Sequence, residues 1–415
     1  MNRMAGQLRI AATVSVLALA LVNGGAHAAE DNPLAGLKLS GEAYIDWSRY
    51  DIQDATSNEF SLKRGYVTVT KKANSWLSFR YTLDVKQASS SATVTQVVGD
   101  SLITVKPANT LDGNYVFRTK YLFAEMLLGD AGFLTDLRAR LGMQHVGPDD
   151  FEQSMNPYRA QDRNGLERAG LFGTSDLGVG LNGAFGGRLE DAKGKTGSAK
   201  YDGRYGSFQL ALTNGSNYDK AEKNENKLVS GRVSLRPAAA AAPGLQLTVA
   251  GVFGKDNTLD GPDAAGVDFN FLMGMVSWQS PMFIAYGQFV ASENNQAGSY
   301  GFGRGASRAG LRGRAWSAFA SVKLPDAGSR WALFGRTAFV DSDVDDDVTT
   351  SDQETGVTVL TGGVSYEIAK GNLFTAAIDN ANYDPYAAEL GKAPTSARLD
   401  RKDDQRLQLV YKLEF

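Results

Sequence analysis

The final ten residues of the chain follow a strict two-residue alternation. Polar side chains occupy one parity of this segment, with Val410 as the one apolar exception, and the apolar set on the other parity is Leu407, Leu409, Tyr411, Leu413 and Phe415. Because successive side chains of a β-strand point to opposite faces, this period predicts a strand with one apolar face and one face in contact with water. Free termini of soluble sheets usually fray into water, whereas a strand that ends on an apolar aromatic is typical of a lipid-facing strand. We therefore predict that Tyr411, Leu413 and Phe415 form an assembly signal in a membrane-inserted strand.

The first 28 residues have the layout of a secretory signal peptide. Arg3 and Arg9 give a basic start, residues 10–22 form a short apolar run, and small residues at a cleavage site end at Ala28. The apolar run is shorter than the roughly 20 residues that a spanning helix needs. A closed barrel is the other way to satisfy every backbone group in lipid. We expect residues 1–28 to be a signal peptide and 29–415 to form one transmembrane β-barrel.

Composition narrows the classes of function. Cysteine is absent, which excludes disulfides, thiolate metal sites and cysteine nucleophiles. The chain has two histidines, His27 and His145, and neither a Gly-x-Ser-x-Gly turn nor a histidine pair at metal-ligand spacing occurs. We therefore predict no enzyme activity, no cofactor and no metal site. A hydrolase that uses His145 with a serine is the catalytic alternative.

The same alternation recurs along the chain and predicts an all-β fold, an antiparallel barrel of 16 strands with 18 as the alternative. The predicted strands are 37–48, 60–72, 75–87, 113–128, 136–146, 178–187, 199–213, 226–236, 244–254, 265–278, 281–292, 305–324, 329–341, 355–368, 370–382 and 402–415. The apolar parity is expected to face lipid and the polar parity to face a water-filled lumen.

The connections alternate between long and short. The tight ones are 73–74, 279–280 and 369, whereas the long polar ones are 49–59, 88–112, 147–177, 214–225, 255–264, 293–304, 342–354 and 383–401. This asymmetry predicts short periplasmic turns and long extracellular loops, as in outer-membrane barrels. Residues 186–199 and 237–243 are long where a short turn is expected. The longest loop, 147–177, is predicted to fold inward and narrow the lumen.

Basic residues mostly fall on the polar parity of the predicted strands. Arg138 and Arg140, for example, alternate with Leu137 and Leu141. Guanidinium groups bind oxyanions by charge and in bidentate geometry, so the pattern predicts a lumen that favours anions. Acidic residues such as Asp84 share these faces, so a general or cation-leaning pore is the alternative hypothesis. The predicted pore-lining residues are Arg80, Lys86, Arg138, Arg140, Arg159, Arg163, Arg168, Arg232, Arg236 and Arg336, while Arg118 and Lys120 fit either parity and stay unassigned.

Several short pieces of the chain resemble one family. They are Arg138-Ala-Arg-Leu-Gly-Met-Gln144 followed by Pro148, Leu177-Gly-Val-Gly-Leu-Asn-Gly183, Gly206-Ser-Phe-Gln-Leu-Ala-Leu-Thr-Asn-Gly215, Arg232-Val-Ser-Leu-Arg-Pro237, and the last strand. With this arrangement the chain resembles the phosphate-selective porins O and P. The resemblance implies a trimeric, sixteen-stranded channel with a third loop that narrows the pore. It also implies a lumen ladder of arginines and lysines, for which Arg80, Arg138, Arg140 and Arg232 are the matching candidates.

The leading hypothesis is therefore a passive porin in the outer membrane of a Gram-negative bacterium, which passes small hydrophilic solutes, phosphate or other oxyanions in particular. The expected partners are outer-membrane lipid, lipopolysaccharide, small solutes and two further copies in a homotrimer. Nucleic acid is not among them. The glycine-rich run 298–305 does not open a helix after a buried parallel strand, so it does not indicate a nucleotide site. A structural barrel that sheaths a partner protein, or a surface adhesin, is the alternative from another class.

Overall fold

The structure is a computed structural model. It describes residues 34–52, 55–87, 94–98, 101–105, 114–163, 167, 171, 173–257, 266–294, 312–325, 328–341, 344, 356–384 and 404–415. The predicted signal peptide, 1–28, lies outside the described residues. No helix within these ranges is long and apolar enough to cross a membrane.

Sixteen antiparallel strands form a closed barrel, which confirms the predicted fold class. The barrel strands are β1 Leu37–Ile52, β2 Ala55–Lys72, β3 Leu77–Gln87, β6 Tyr115–Ala131, β7 Leu134–His145, β8 Ser175–Phe185, β9 Gly206–Thr213, β10 Leu228–Leu235, β11 Leu245–Lys255, β12 Asp268–Gln279, β13 Phe283–Glu293, β14 Arg312–Lys323, β15 Trp331–Asp341, β16 Val357–Ala369, β17 Asn372–Tyr383 and β18 Asp404–Glu414. β4 Val94–Val98 and β5 Ser101–Val105 form a separate hairpin in the connection between β3 and β6. Two short helices complete the described elements, α1 Gly147–Ser154 and α2 Ala192–Thr196.

The barrel closes where the first and last strands pair. Glu42 of β1 lies opposite Glu414 of β18, and the register continues without a break to Asp51 opposite Gln405. Full closure leaves no strand edge with unpaired backbone groups, which is the condition for a sheet in lipid. Tyr411, one of the predicted assembly residues, stacks on Phe374 of β17 with ring centroids 5.0 Å apart.

The first connection differs from its predicted form. A long polar loop over 49–59 is wrong, because β1 and β2 continue as a paired hairpin until Ile52 lies opposite Ala55. Polar residues such as Arg49 and Asn58 pair across the ladder there. Their backbone bonds are satisfied by the neighbouring strand, so polarity alone did not mark the end of the strand.

The two connections that broke the predicted length rule lie at the end of the barrel that carries Leu37 and Glu414. We call this end the short-turn rim. The first, residues 186–205, contains α2 and an isolated bridge between Arg188 and Gly203, so the strand predicted from 199 begins only at Gly206. The second, 237–243, forms turns, with a hydrogen bond of 2.7 Å from the Ala242 amide to the Ala238 carbonyl.

The outer face of the barrel is apolar, as the alternation predicts. Leu141 is 57% exposed and Val249 60% exposed in the isolated chain, and both point away from the lumen. The inner face is not polar all round. Along β12, Phe269, Phe271 and Met273 are at most 1% exposed, although they have the inward parity. The prediction that every inward face meets water is therefore wrong for this wall, which packs into an apolar core inside the barrel.

Candidate functional site

The connection between β7 and β8 enters the barrel as α1. Pro148 occupies the first helical turn, where its missing N–H is not needed, and Asp149 and Asp150 follow it where the helix dipole favours acidic groups. Helix α1 packs against β9, β10 and β11. Phe151 is fully buried and meets the ring of Tyr201 edge-on at 5.1 Å. The segment thereby covers the apolar inner wall and forms a core with it.

After α1 the chain continues to the opposite wall of the barrel. Tyr158 stacks on Phe334 of β15 at 4.2 Å, and its hydroxyl lies 3.0 Å from Ser321 Oγ. Further along, the Gln161 amide donates to Asp379 Oδ1 at 3.1 Å and to Gln408 Oε1 at 3.0 Å. These bonds connect the segment to β14, β15, β17 and β18. Residues 147–161 therefore divide the interior into an apolar side and a polar side.

The polar side contains two adjoining cavities of about 440 and 470 Å³, which share Thr70, Arg80 and His145 in their linings. We call them together the passage. Its walls come from β1, β2, β3, β6 and β7, from Glu414 of β18, from Lys200, and from residues 147–163, which we call the inward segment. Nine basic side chains line it: Lys38, Lys71, Lys72, Arg80, Lys120, Arg138, Arg140, Arg159 and Lys200. Four acidic side chains line it: Glu42, Glu125, Asp150 and Glu414. The passage is thus basic in a chain whose formal net charge is −3.

Arg80 and Lys120 are the central basic pair of the passage. Arg80 lies over the ring of Tyr121 at 4.9 Å, and its Nη1 is 3.3 Å from His145 Nε2. Lys120 lies over the ring of Tyr66 at 4.5 Å and donates to the Tyr66 hydroxyl at 3.1 Å. Within the described part of the chain, neither cation has a carboxylate within 4.0 Å. Their charge is held by aromatic rings and neutral groups, which leaves it available to a mobile anion.

The acidic groups of the passage are mostly engaged. Glu125 accepts from Arg138 Nη1 and from Arg140 Nε, each at 2.7 Å. Glu414 accepts from Lys412 Nζ at 2.8 Å. Glu42 accepts the Tyr44 hydroxyl at 2.6 Å. Arg138 and Arg140, both predicted to line the pore, lie in the lining of the passage, and each shares its charge with Glu125.

Residues of the inward segment were also predicted to line the pore. Arg159 lines the passage and is paired with Glu167, while Arg163 Nε is 3.9 Å from the same carboxylate. Burial by itself raises the pKa of Glu167, but the Arg159 guanidinium outweighs it and lowers that pKa to about 2. Arg168 lies outside the described residues. Lys86 is exposed near the end of β3 and lines neither cavity.

Three predicted pore residues instead hold protein parts together. Arg232 is 2% exposed, lies over the rings of Phe151 and Tyr201, and donates to Ser234 Oγ at 2.7 Å. Arg236 donates to the Tyr201 carbonyl at 3.2 Å. Arg336 donates to the Arg163 carbonyl at 2.7 Å and to Asn156 Oδ1 at 3.2 Å. All three side chains point inward, as predicted from the alternation. However, the inward segment and residues 186–205 cover them, so they do not line the passage.

The orientation of Lys120 could not be assigned from the sequence because β6 contains a β-bulge at this residue. Thr82 of β3 pairs with Tyr121, whereas Leu83 pairs with Thr119, so Lys120 is the extra residue between them. A bulge shifts the phase of alternation by one residue, and as a result both Lys120 and Tyr121 turn inward. The uncertain parity of 117–128 in the sequence was the available signal. Lys200 had no such signal, because it lies on a connection rather than a strand.

A buried carboxylate anchors α1 to the barrel wall. Glu152 is fully buried and accepts from Gln288 Nε2 at 2.6 Å and from the Tyr286 hydroxyl at 3.3 Å. Burial disfavours the charged form and raises the pKa of Glu152 from its ordinary 4.5 to about 7, against the hydrogen bond from Gln288 and the charge of Arg336. This group therefore changes charge near neutral pH at the point where the inward segment meets β13.

Comparison with known proteins shows which solved structures have a similar fold. No protein-family model matches the chain, and no curated protein matches it. Among solved structures, the anion-selective porin from Comamonas acidovorans superposes with a TM-score of 0.56 at 10% identity, over 91% of this chain and 99% of that one. The Salmonella typhi OmpF complex with daunomycin gives 0.53 at 12% identity, over 91% and 97%. The outer-membrane channel DcaP of Acinetobacter baumannii gives 0.51 at 11% identity, over 92% and 98%.

The chain has the porin fold. At 10–12% identity this likeness concerns the fold alone.

Proposed function

We propose that the protein is an outer-membrane porin through which small hydrophilic anions diffuse passively. The observation that carries the proposal is the charge of the passage, where nine basic side chains face four acidic ones. Arg80 and Lys120 strengthen it, because they have no carboxylate partner in the described residues while the acids beside them are mostly engaged. A narrow basic passage attracts anions and repels cations.

Oxyanions fit this lining better than simple halides do. Arg80 presents a planar guanidinium that can bind two oxygens at once, and Lys120 adds a point charge beside it. Tyrosine and threonine hydroxyls line the same cavity and can donate to further oxygens. Phosphate, which the resemblance to the phosphate-selective porins implies, is one such oxyanion. The anion-selective porin from Comamonas acidovorans, which shares the fold, is consistent with this assignment.

The filling of one side of the lumen by residues 147–161 argues against a structural barrel that sheaths a partner protein. A barrel that sheaths a partner protein needs an open lumen, whereas residues 147–161 fill one side of this one with the apolar core around Phe151. The space that remains is of the size of small solutes. His145 contacts Arg80, Tyr121 and Asp150, none of which is a nucleophile activated by it, so we propose no catalytic role for it.

The remaining parts of the proposal concern the setting of the channel. Residues 1–28 direct export, and the apolar outer face contacts lipid, with lipopolysaccharide around the long-loop rim. The barrel works as a homotrimer, as the family resemblance implies, and residues 147–177 act as its constriction. Tyr411, Leu413 and Phe415 serve as the assembly signal.

Reversal-potential measurements in planar bilayers test the function directly. Purified protein is inserted from detergent, and the zero-current voltage is measured across a gradient of potassium chloride. The proposal expects discrete conductance steps and a reversal potential of the sign for chloride over potassium. A reversal potential of the opposite sign would establish the cation-leaning alternative, and a protein that folds but never conducts would establish the structural one.

A further inference from the structure

Residues 186–205 fold into the barrel from the short-turn rim, and Tyr201 of this segment contacts Phe151 of α1. The base of this segment is fixed by Arg188, which pairs with Asp136 at 2.9 Å and with Asp202 at 3.0 Å. The Leu189 amide also donates to the Asp202 carbonyl at 2.7 Å. These bonds form a short closed loop that includes α2. The loop therefore has a defined place in the mouth of the barrel.

Next to this base, Tyr201 fixes the segment against α1. Tyr201 packs edge-on against Phe151 at 5.1 Å, and the Arg232 guanidinium lies over its ring at 4.6 Å. Arg236 donates to the Tyr201 carbonyl at 3.2 Å. The Tyr201 backbone has φ 53, a left-handed conformation that is costly for a residue with a side chain. Packing on three sides maintains this conformation and turns the preceding residue, Lys200, toward the passage.

Lys200 and Tyr201 both reach one carboxylate, that of Asp150. Lys200 Nζ lies 3.5 Å from Asp150 Oδ1, and the Tyr201 hydroxyl donates to Asp150 Oδ2. His145 Nδ1 lies 3.1 Å from Asp150 Oδ1. Asp150 is thus the acid of the passage with the most donors around it, and Lys200, whose side chain is 59% exposed, is the lysine among them.

We infer that Lys200 is a selectivity determinant of the pore and that it acts by neutralising Asp150. The inference rests on the proposed function, because it concerns what the passage conducts. Without Lys200, a carboxylate would face the same cavity as Arg80 and Lys120 with only neutral donors and the histidine beside it. Burial opposes ionisation of Asp150, but His145, the charge of Lys200 and the hydrogen bond from the Tyr201 hydroxyl hold its pKa well below the ordinary value, so the carboxylate is charged at neutral pH.

The test is a double-mutant cycle on ion selectivity. Lys200→Ala, Asp150→Asn and the double variant are compared with the wild type by reversal potential across a potassium chloride gradient. We expect Lys200→Ala to lower the chloride-to-potassium permeability ratio by about two- to fivefold, since a unit charge at 4 Å in water is worth about 1 kcal/mol. Adding Asp150→Asn to Lys200→Ala should restore the wild-type ratio, because it removes the carboxylate that the first change leaves without its lysine.

Lys195→Ala is the matched control, because Lys195 lies in the same segment, is exposed and lines neither cavity. Heat-modifiable migration in electrophoresis shows that each variant is folded. If Lys200→Ala behaves like Lys195→Ala, the inference is overturned. It is also overturned if the double variant keeps the lowered ratio of Lys200→Ala, since the loss would then not come from the uncovered Asp150 carboxylate. A wild type that does not conduct, or that favours potassium, would overturn the proposed function instead.

Discussion

The backbone of Phe415 exchanges two hydrogen bonds with that of Gly41, at 2.9 Å from the Gly41 amide and 3.0 Å from the Phe415 amide. The Phe415 ring lies over Gly41, where any side chain would overlap it. Glycine at this point of β1 thus allows the last residue of the chain to close the barrel. The terminal aromatic is held by both backbone pairing and ring contact, although Phe415 is 65% exposed in the isolated chain.

Deletion of Phe415 should impair barrel assembly more than Phe415→Ala does. The deletion removes both backbone bonds, each worth about 0.5–1.5 kcal/mol, whereas the substitution removes only the ring. The measurement is the yield of heat-modifiable, folded protein after refolding into detergent or liposomes. Phe283→Ala, a change of an outward aromatic at the same rim but away from the closure, is the control. Equal yields for the deletion and this control would show that the closure does not depend on the terminal residue.

Charge reversal at the central basic pair should shift ion selectivity. Arg80→Glu and Lys120→Glu each replace a cation that has no carboxylate within 4.0 Å in the described structure. Each reversal changes the charge by two units, so at about 1 kcal/mol per charge in a wet passage we expect roughly a thirtyfold fall in the chloride-to-potassium permeability ratio for each variant. Reversal potentials measure the ratio. Lys193→Glu, which changes an exposed lysine of α2, should keep the wild-type value; a shift as large in this control would assign selectivity to overall charge.

Loss of Arg336 should loosen the inward segment. Its guanidinium holds the Arg163 carbonyl and Asn156 Oδ1 from β15, and both acceptors would lose a buried, charged donor. Arg336→Gln is therefore expected to cost about 2–3 kcal/mol of stability and to increase open-channel current noise. Thermal unfolding in detergent and single-channel recording measure these effects. Arg204→Gln, which changes an exposed arginine with no ion pair in the described structure, is the control for stability. A quiet channel of unchanged melting temperature in Arg336→Gln would contradict the anchoring role.

Stability should fall as pH rises through neutrality because of Glu152. Its pKa is about 7 in the folded protein and 4.5 in its ordinary state, so the folded state binds more protons between these values. The stabilisation from this group is complete below pH 4.5 and is lost as pH rises through 7. Glu152→Gln should remove this part of the pH dependence, and melting temperatures recorded from pH 5 to pH 8 measure it. A wild type and variant with parallel pH profiles would contradict the assignment.

Much of the fold could be predicted from the sequence, because successive side chains of a membrane strand alternate between lipid and lumen and this alternation is visible in the sequence. The predicted strand 75–87 lies within two residues of the observed ends of β3, Leu77 and Gln87, and the predicted last strand, 402–415, lies within two residues of Asp404–Glu414. Strand ends were predicted less well where polar residues continue a paired hairpin, as between Arg49 and Asn58. Alternation specifies which face a side chain takes, but it does not show how far the ladder extends beyond the lipid.

The functional site divides in the same way. The sequence by itself determined that Arg80, Arg138 and Arg140 turn inward, because the cost of a charge in lipid sets parity locally. Only the tertiary structure decided which inward residues meet water. Arg232 and Arg336 are covered by chain segments far away in sequence, the bulge at Lys120 turns two neighbours the same way, and Lys200 arrives from the short-turn rim. Contacts between distant segments depend on the closed barrel, and no local period encodes them.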